Sequence, residues 1–300
     1  MTRLMLVDGD NILVRAERAT EHVPLHADGV PTAALLVFIN SLTRHGREER
    51  PDSLVVCWDG GRSAFRTELY PKYKANRPPR TEHEETRRPH GLARSWLSIS
   101  NVPHVRRPGW EADDLVAAYC RLAAGQDLDV VIVSSDKDLL QLVDTRVVQV
   151  KVATGSNPFD CWDVGRVRAH YGVPHPRHLG EVMSLAGDPG DGVPGLPGIG
   201  PKRAAKMMEQ HSWSWPSVAA ELAGDADRWA LAAVAYDLIE LRHNRYPEMG
   251  LTLGLPGRLR PTRPGDALYP DLLDFLDRYA LRTVRDRLEA DEIWPRTALA

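Results

Sequence analysis

Cysteine is scarce in this 300-residue chain, and its three copies, Cys57, Cys120 and Cys161, are odd in number and scattered. With no metal-type spacing among them, they exclude a disulfide framework and a cysteine-based zinc site, and read as small core residues. No apolar run approaches the length that crosses a bilayer, and the N-terminus lacks the basic-then-apolar layout of a secretion signal. A cytoplasmic protein with no membrane association is therefore expected. Lysine is scarce too: only Lys72, Lys74, Lys137, Lys151, Lys202 and Lys206 occur, and the remaining strong bases are arginine. A positive balance is also missing, since the formal net charge is −3. That looks wrong for a nucleic-acid binder unless acids and bases are gathered in different places.

At 43% hydrophobic residues, the chain can bury a sizeable core in one large domain or one domain with a smaller attachment. Three short apolar runs, "LMLV" before Asp8, "SLVVCW" before Asp59 and "VVIVSS" before Asp136, read as buried strands with a carboxylate at each C-terminal end. Helical patterns from Thr32 and from Glu111 alternate with them, as in parallel α/β crossovers, and "RVVQVKV" from Arg146 adds a further strand. After about residue 160 the strand signal gives way to helices broken by Pro and Gly; from Trp213 onward the chain reads as helical and is expected to pack against the core.

In open parallel sheets the ligand crevice lies outside the carboxyl ends of the strands. The acids opening the helix in "GWEADDL" and those in "SSDKDLLQL" and "GDPGDG" belong on that same edge. Any one of these acids reads equally well as a helix-dipole partner, an N-cap or a turn former. Together, Asp8, Asp59, Glu111, Asp113, Asp114, Asp136, Asp138, Asp188 and Asp191 would repel strongly unless cations neutralise them. All-oxygen ligands favour Mg²⁺ or Mn²⁺ over zinc, and two ions about 3.5–4 Å apart form the usual clamp for displacement at a phosphodiester. Setting these nine acids aside turns the balance of −3 into +6, so the rest of the surface is basic.

The bases gather in two places. From Arg62 to Arg94 nine bases are interleaved with Phe65, Tyr70 and Tyr73, a layout suited to phosphate contact and stacking on single-stranded bases rather than to a plain solvated helix. "GLPGIGPKRAAK", Gly195 to Lys206, resembles a helix-hairpin-helix: Gly198 and Gly200 let the backbone approach a phosphate, and Lys202 and Lys206 sit one turn apart on the helix that follows. It fails as a nucleotide loop because Pro201 stands where a Walker lysine would follow Gly200. Five of the six lysines fall inside these motifs or between Asp136 and Asp138.

Five ordered motifs, "LVDGDNILVR", "WDGGRSAFRTELYPKYKANR", "GWEADDL", "SSDKDLLQL" and "GDPGDGVPGLPGIGPKRAAK", make the chain resemble the bacterial and phage 5′-nucleases. This flap endonuclease family also forms the N-terminal domain of many DNA polymerase I enzymes. The resemblance runs from about Arg3 to His211. It implies an α/β fold with a PIN-like, mostly parallel central sheet, a helical arch at about 62–100 and a helix–three-turn–helix that holds duplex DNA, often with a K⁺. The expected division is a catalytic domain over 1–175, a DNA-binding subdomain over 176–225 and a helical region over 226–300.

The nine acids match the family's metal positions, for two or more Mg²⁺ or Mn²⁺ ions. Asp10 matches none and reads as incidental. Lys74 and Arg77 match arch bases at the scissile phosphate, and Arg15 matches a base near the DNA; Arg66 and Tyr73 are expected beside them. The implied activity is metal-dependent 5′-flap endonuclease and 5′-3′ exonuclease cleavage of DNA flaps and junctions, with RNA primers as further substrates, in replication and repair. The expected protein is a stand-alone monomer working beside a separate polymerase. Two departures stand out: Gly192 replaces the usual Asn after Asp191 and is expected to loosen that turn, and Pro89 and Gly91 fall where a continuous arch helix is usual. The rival readings are a DNA-structure-binding protein that has lost catalysis, and an aspartyl-phosphatase with Asp8 as nucleophile and Asp10 as acid.

Overall fold

The computed structural model describes residues 2–27, 29–76, 89–152, 159–242, 246–247 and 250–294. Its centre is a six-stranded sheet of β1 (Arg3–Asp8), β4 (Ser53–Trp58), β5 (His104–Arg106), β6 (Asp129–Val133), β7 (Val147–Val150) and β8 (Cys161–Trp162), in the order β5-β4-β1-β6-β7-β8. All neighbours are parallel except β7 and β8. A separate two-stranded ribbon pairs β2 (His26–Ala27) with β3 (Val30–Pro31).

The three apolar runs become the middle of this sheet because strands covered on both faces must be apolar at every position. Along β1, Met5 and Val7 face one layer and Leu4 and Leu6 the other. The first layer holds the helices Gly9–Thr20, Ala33–Glu49 and Pro89–Ile99, joined by Tyr269–Arg278 and Arg282–Glu289 near the C-terminus. The second is built on the helix Ala112–Ala124, whose Leu115, Val116 and Tyr119 cover Val55, Cys57 and Ile132. A further core joins the helices Val164–Tyr171, His178–Ala186, Pro201–Gln210 and Trp215–Leu222.

Several expectations change here. The helix Pro89–Ile99 lies in the core with Leu92, Trp96 and Leu97 buried, and the arch residues before it, 77–88, lie outside the described residues. The stretch after Leu251 is not helical: residues 251–268 run irregularly, with the Leu259 N–H donating to the Asp52 carbonyl and the Thr262 N–H to that of Ser100. Pro256, Pro261 and Pro264 remove helix donors there. Cys57 and Cys120 are buried as expected, but Cys161 is exposed on the edge strand. Among the described residues no helix is long and apolar enough to cross a membrane.

Candidate metal centre and nucleic-acid interface

The registers place Asp8 opposite Cys57 and Val7 opposite Val133, so the ends of β1, β4 and β6 come level. Asp8 caps the helix that follows: one carboxylate oxygen accepts the Asn11 N–H at 3.0 Å, the other the Ser134 hydroxyl at 2.8 Å. The chain can turn this abruptly because residue 9 is glycine; a Cβ there would lie 2.8 Å from the Trp58 ring. Asp59 accepts the Ala112 N–H at 2.8 Å, at the start of the helix Ala112–Ala124. Asp136 accepts the Asp138 N–H at 2.9 Å and itself donates its N–H to Ser134 Oγ at 3.0 Å.

These side chains open on one cavity of about 540 Å³, lined by eight of the nine predicted acids: Asp8, Asp59, Glu111, Asp113, Asp136, Asp138, Asp188 and Asp191. Burial, then the Asp10 and Asp136 charges, push the Asp8 carboxyl up to about 7 against its hydrogen bonds. Burial, reinforced by Asp136, likewise puts Asp138 at about 7. Asp59 and Asp113 are driven well above the carboxylate range by burial and by neighbouring acids. One Asp138 oxygen, Oδ1, is buried with no hydrogen-bond partner. Among the described residues no three His, Cys, Asp or Glu side chains close into a cage around one point. The acids stand around an open cavity.

Asp114 is the ninth acid and does not line it. Fully buried, it accepts two hydrogen bonds from the Arg66 guanidinium, at 2.8 and 2.7 Å, and one from the Glu111 N–H at 3.1 Å. This corrects the placement of Arg66 at the DNA: it is 2% exposed, and its Nε donates to the Leu238 carbonyl. Tyr73 is corrected in the same way, being buried with its hydroxyl donating to Glu111 Oε2 at 2.7 Å rather than open for stacking. Burial works against the charged form of Glu111, but Lys74 and then Arg66 hold its pKa below the usual range.

Lys74 lies at the cavity, its Nζ 2.8 Å from Glu111 Oε1 and 3.6 Å from Asp191 Oδ2. Asp188 accepts Lys137 Nζ at 3.0 Å and the Gly190 N–H at 2.9 Å. The turn after it is not loosened by Gly192, which takes φ +70° and donates its N–H to the Pro189 carbonyl, while Asp188 bridges to Val193. Arg15 is exposed at the cavity rim, and Arg18, one turn further along the same helix, joins it. Gly200 caps the helix Pro201–Gln210, on which Lys202 and Lys206 are exposed away from the cavity; Gly198 has φ +72° and accepts from Arg203 at 2.8 Å. Arg77 lies outside the described residues.

Sequence reasoning missed Ser134, which links Asp8 to Asp136, and it dismissed Asp10. That carboxylate lines the cavity and accepts the Asp59 N–H at 2.7 Å. No sequence signal marks either role, because each depends on which strand ends lie side by side.

Residues 3–172 match the family model described as 5′-3′ exonuclease, N-terminal resolvase-like domain. DNA polymerase I of Rhizobium leguminosarum is 38% identical over 217 residues, which cover 69% of this chain and 20% of that protein. The 5′-3′ exonuclease of Aquifex aeolicus is 32% identical over 214 residues, covering 70% of each. The chain thus spans about a fifth to a quarter of the DNA polymerase I relatives it matches. Among solved structures, the flap endonuclease of bacteriophage T5, in a complex with DNA and metal ions, shares the fold at a TM-score of 0.68 and 20% identity, covering 93% of this chain and 99% of that one. The T5 5′-exonuclease with bound zinc aligns at 0.67 and 22%, covering 92% and 99%.

Proposed function

This chain belongs to the 5′-3′ exonuclease family, and from that membership we propose that it is a divalent-metal-dependent 5′-nuclease cutting phosphodiester bonds near single-strand/duplex junctions. The observation that carries the reading is one cavity ringed by nine carboxylates, the eight predicted ones and Asp10, with Lys74 at its side. Such a ring is unfavourable by itself, and the donor set fits hard cations: the ligand atoms on offer are chiefly carboxylate oxygens, several are held toward protonation, and Asp138 Oδ1 lacks a partner. Asp8, Asp113, Asp136 and Asp138 are the residues we assign to Mg²⁺ or Mn²⁺, with Asp59, Glu111, Asp188 and Asp191 around them. Bound there, the ions would supply Lewis acidity at the phosphate and neutralise the acids.

The protein's own part is to orient the strand and balance charge. The Lys74 ammonium is placed to move from Glu111 to a scissile phosphate and offset the negative charge that develops there. Arg15 at the rim contacts the backbone of the approaching strand. Gly198, Gly200, Lys202 and Lys206, with a K⁺, hold the duplex beyond it, and Arg77 completes the arch contact. Asp114 and Arg66 keep Glu111 in position from beneath. DNA flaps arising in replication and repair, RNA primers included, are the proposed substrates, with a polymerase as partner.

The test is a labelled 5′-flap duplex incubated in Mg²⁺, in EDTA, and with Asp136→Ala. Cleavage near the junction is expected in the first alone. An intact flap in both Mg²⁺ and Mn²⁺, despite tight binding, would turn the reading to a DNA-structure-binding protein.

A further inference from the structure

We propose that Asp10 is a positioning residue for Asp59: its carboxylate fixes the backbone at Asp59 so that this acid faces the cavity in the orientation a divalent cation requires. The inference rests on the metal-dependent reading of the cavity.

Asp59 is the first residue past β4, beyond the last paired position of that strand, Trp58 opposite Arg106. Its N–H therefore has no place in the ladder and needs an acceptor from elsewhere. Asp10 Oδ2 supplies one at 2.7 Å. On the other side, the Asp59 carboxylate accepts the Ala112 N–H. Asp59 is thus held between two helix starts, by its backbone to one and its side chain to the other.

An acid in a first helical turn is ordinarily satisfied by the helix dipole and water. Asp10 is instead turned inward, with its side chain 13% exposed and Oδ1 lying 3.2 Å from His90 Nε2, near it but outside hydrogen-bond geometry. His90 is itself buried, packs near the Trp58 ring, and is the second residue of the helix Pro89–Ile99. A further negative charge beside Asp8 and Asp59 is unfavourable, so this arrangement requires an offsetting gain. Holding Asp59 is the gain the geometry offers, and outer-sphere partners of ligating carboxylates act in this way.

Two substitutions separate this role from simple charge. Asp10→Asn and Asp10→Ala both remove the negative charge, but only Asn keeps an acceptor within reach of the Asp59 N–H. Each protein is titrated with Mn²⁺ while its thermal unfolding midpoint is followed, and single-turnover cleavage of a 5′-flap duplex is measured across the same range. The half-saturating Mn²⁺ of Asp10→Ala should exceed that of Asp10→Asn by about tenfold or more, with affinity for the flap unchanged and the loss confined to the single-turnover rate at low Mn²⁺. Coinciding Asn and Ala titrations overturn the proposal, as does a wild type whose unfolding ignores Mn²⁺. A wild type that is stabilised by Mn²⁺ and shows the Asn-to-Ala gap, yet cleaves no flap, supports the positioning role and sinks the nuclease reading alone. Should Asp10→Ala show no cooperative unfolding in EDTA, Asp10→Ser, whose hydroxyl is too short to reach, takes its place.

Discussion

The backbone N–H of Lys74 donates to the Asp191 carbonyl at 2.8 Å, tying the segment that carries a cavity base to the turn that carries a cavity acid. Lys74 sits there with φ +48°, a left-handed conformation that a non-glycine residue keeps only when its surroundings hold it. The closeness depends on Gly192, where a Cβ would lie 2.7 Å from the Lys72 carbonyl oxygen. Asn tolerates the positive φ but not that contact. Gly192→Asn should therefore push the turn off and slow single-turnover flap cleavage about 10- to 100-fold, with affinity for the same duplex in Ca²⁺ nearly unchanged. An unaltered rate would mean that the turn can retreat without Lys74.

Arg66 makes a different prediction from the surface base it resembles in the sequence. Arg66→Met leaves Asp114 and Glu111 as buried carboxylates short of their partner. Losing one member of a buried pair costs about 3–5 kcal/mol, and urea unfolding should show a loss of that order. A loss below about 1 kcal/mol, typical of an exposed pair, joined to weakened DNA binding would restore the surface role.

Metal removal should reveal the acids through pH. With Asp8 and Asp138 pushed up to about 7, first by burial, their folded-state pKa lies above the unfolded one. Their contribution to stability is thus full in the acid range, below the unfolded carboxylate pKa, and is lost as pH rises through 7. In EDTA the part of the unfolding midpoint that depends on these acids should fall from about pH 4 to pH 8, and Mg²⁺ should raise the midpoint more at pH 8 than at pH 5. Scanning calorimetry at a series of pH values checks both; equal Mg²⁺ effects at the two values would count against acids gathered at one site.

His45 works in the opposite direction. Burial, and next the Arg44 charge, bring its pKa down from 6.5 to about 4, so the neutral ring is the one the core accepts. Its stabilisation is complete above pH 6.5 and is lost as pH falls toward 4, an effect of about 3 kcal/mol at most. The difference in urea midpoint between wild type and His45→Gln, followed from pH 7 to 4, isolates it from the acids. A pH-independent difference would place the imidazole in contact with water.

The sheet and its acid edge were legible because doubly covered parallel strands leave unbroken apolar runs, and Asp8, Asp59 and Asp136 each follow one. Arg66 was misread for a physical reason. A buried guanidinium looks like a solvated one until its partner is known, and Asp114 is 48 residues away. Asp10 was hidden likewise, since the N–H it accepts belongs to a residue 49 positions on. The prolines after Leu251 were outweighed by the leucines around them.

The family model ends at residue 172, yet Leu272, Phe275, Leu276, Leu288 and Trp294 share one core with Phe38, Leu42 and Trp96. The first helical layer is therefore finished by residues outside the family model. Excising the shared part at the boundary suggested by sequence similarity would leave it with an apolar wall facing water, prone to clump rather than fold. The acid-lined cavity and the C-terminal helices belong to a single globule, inseparable at that boundary.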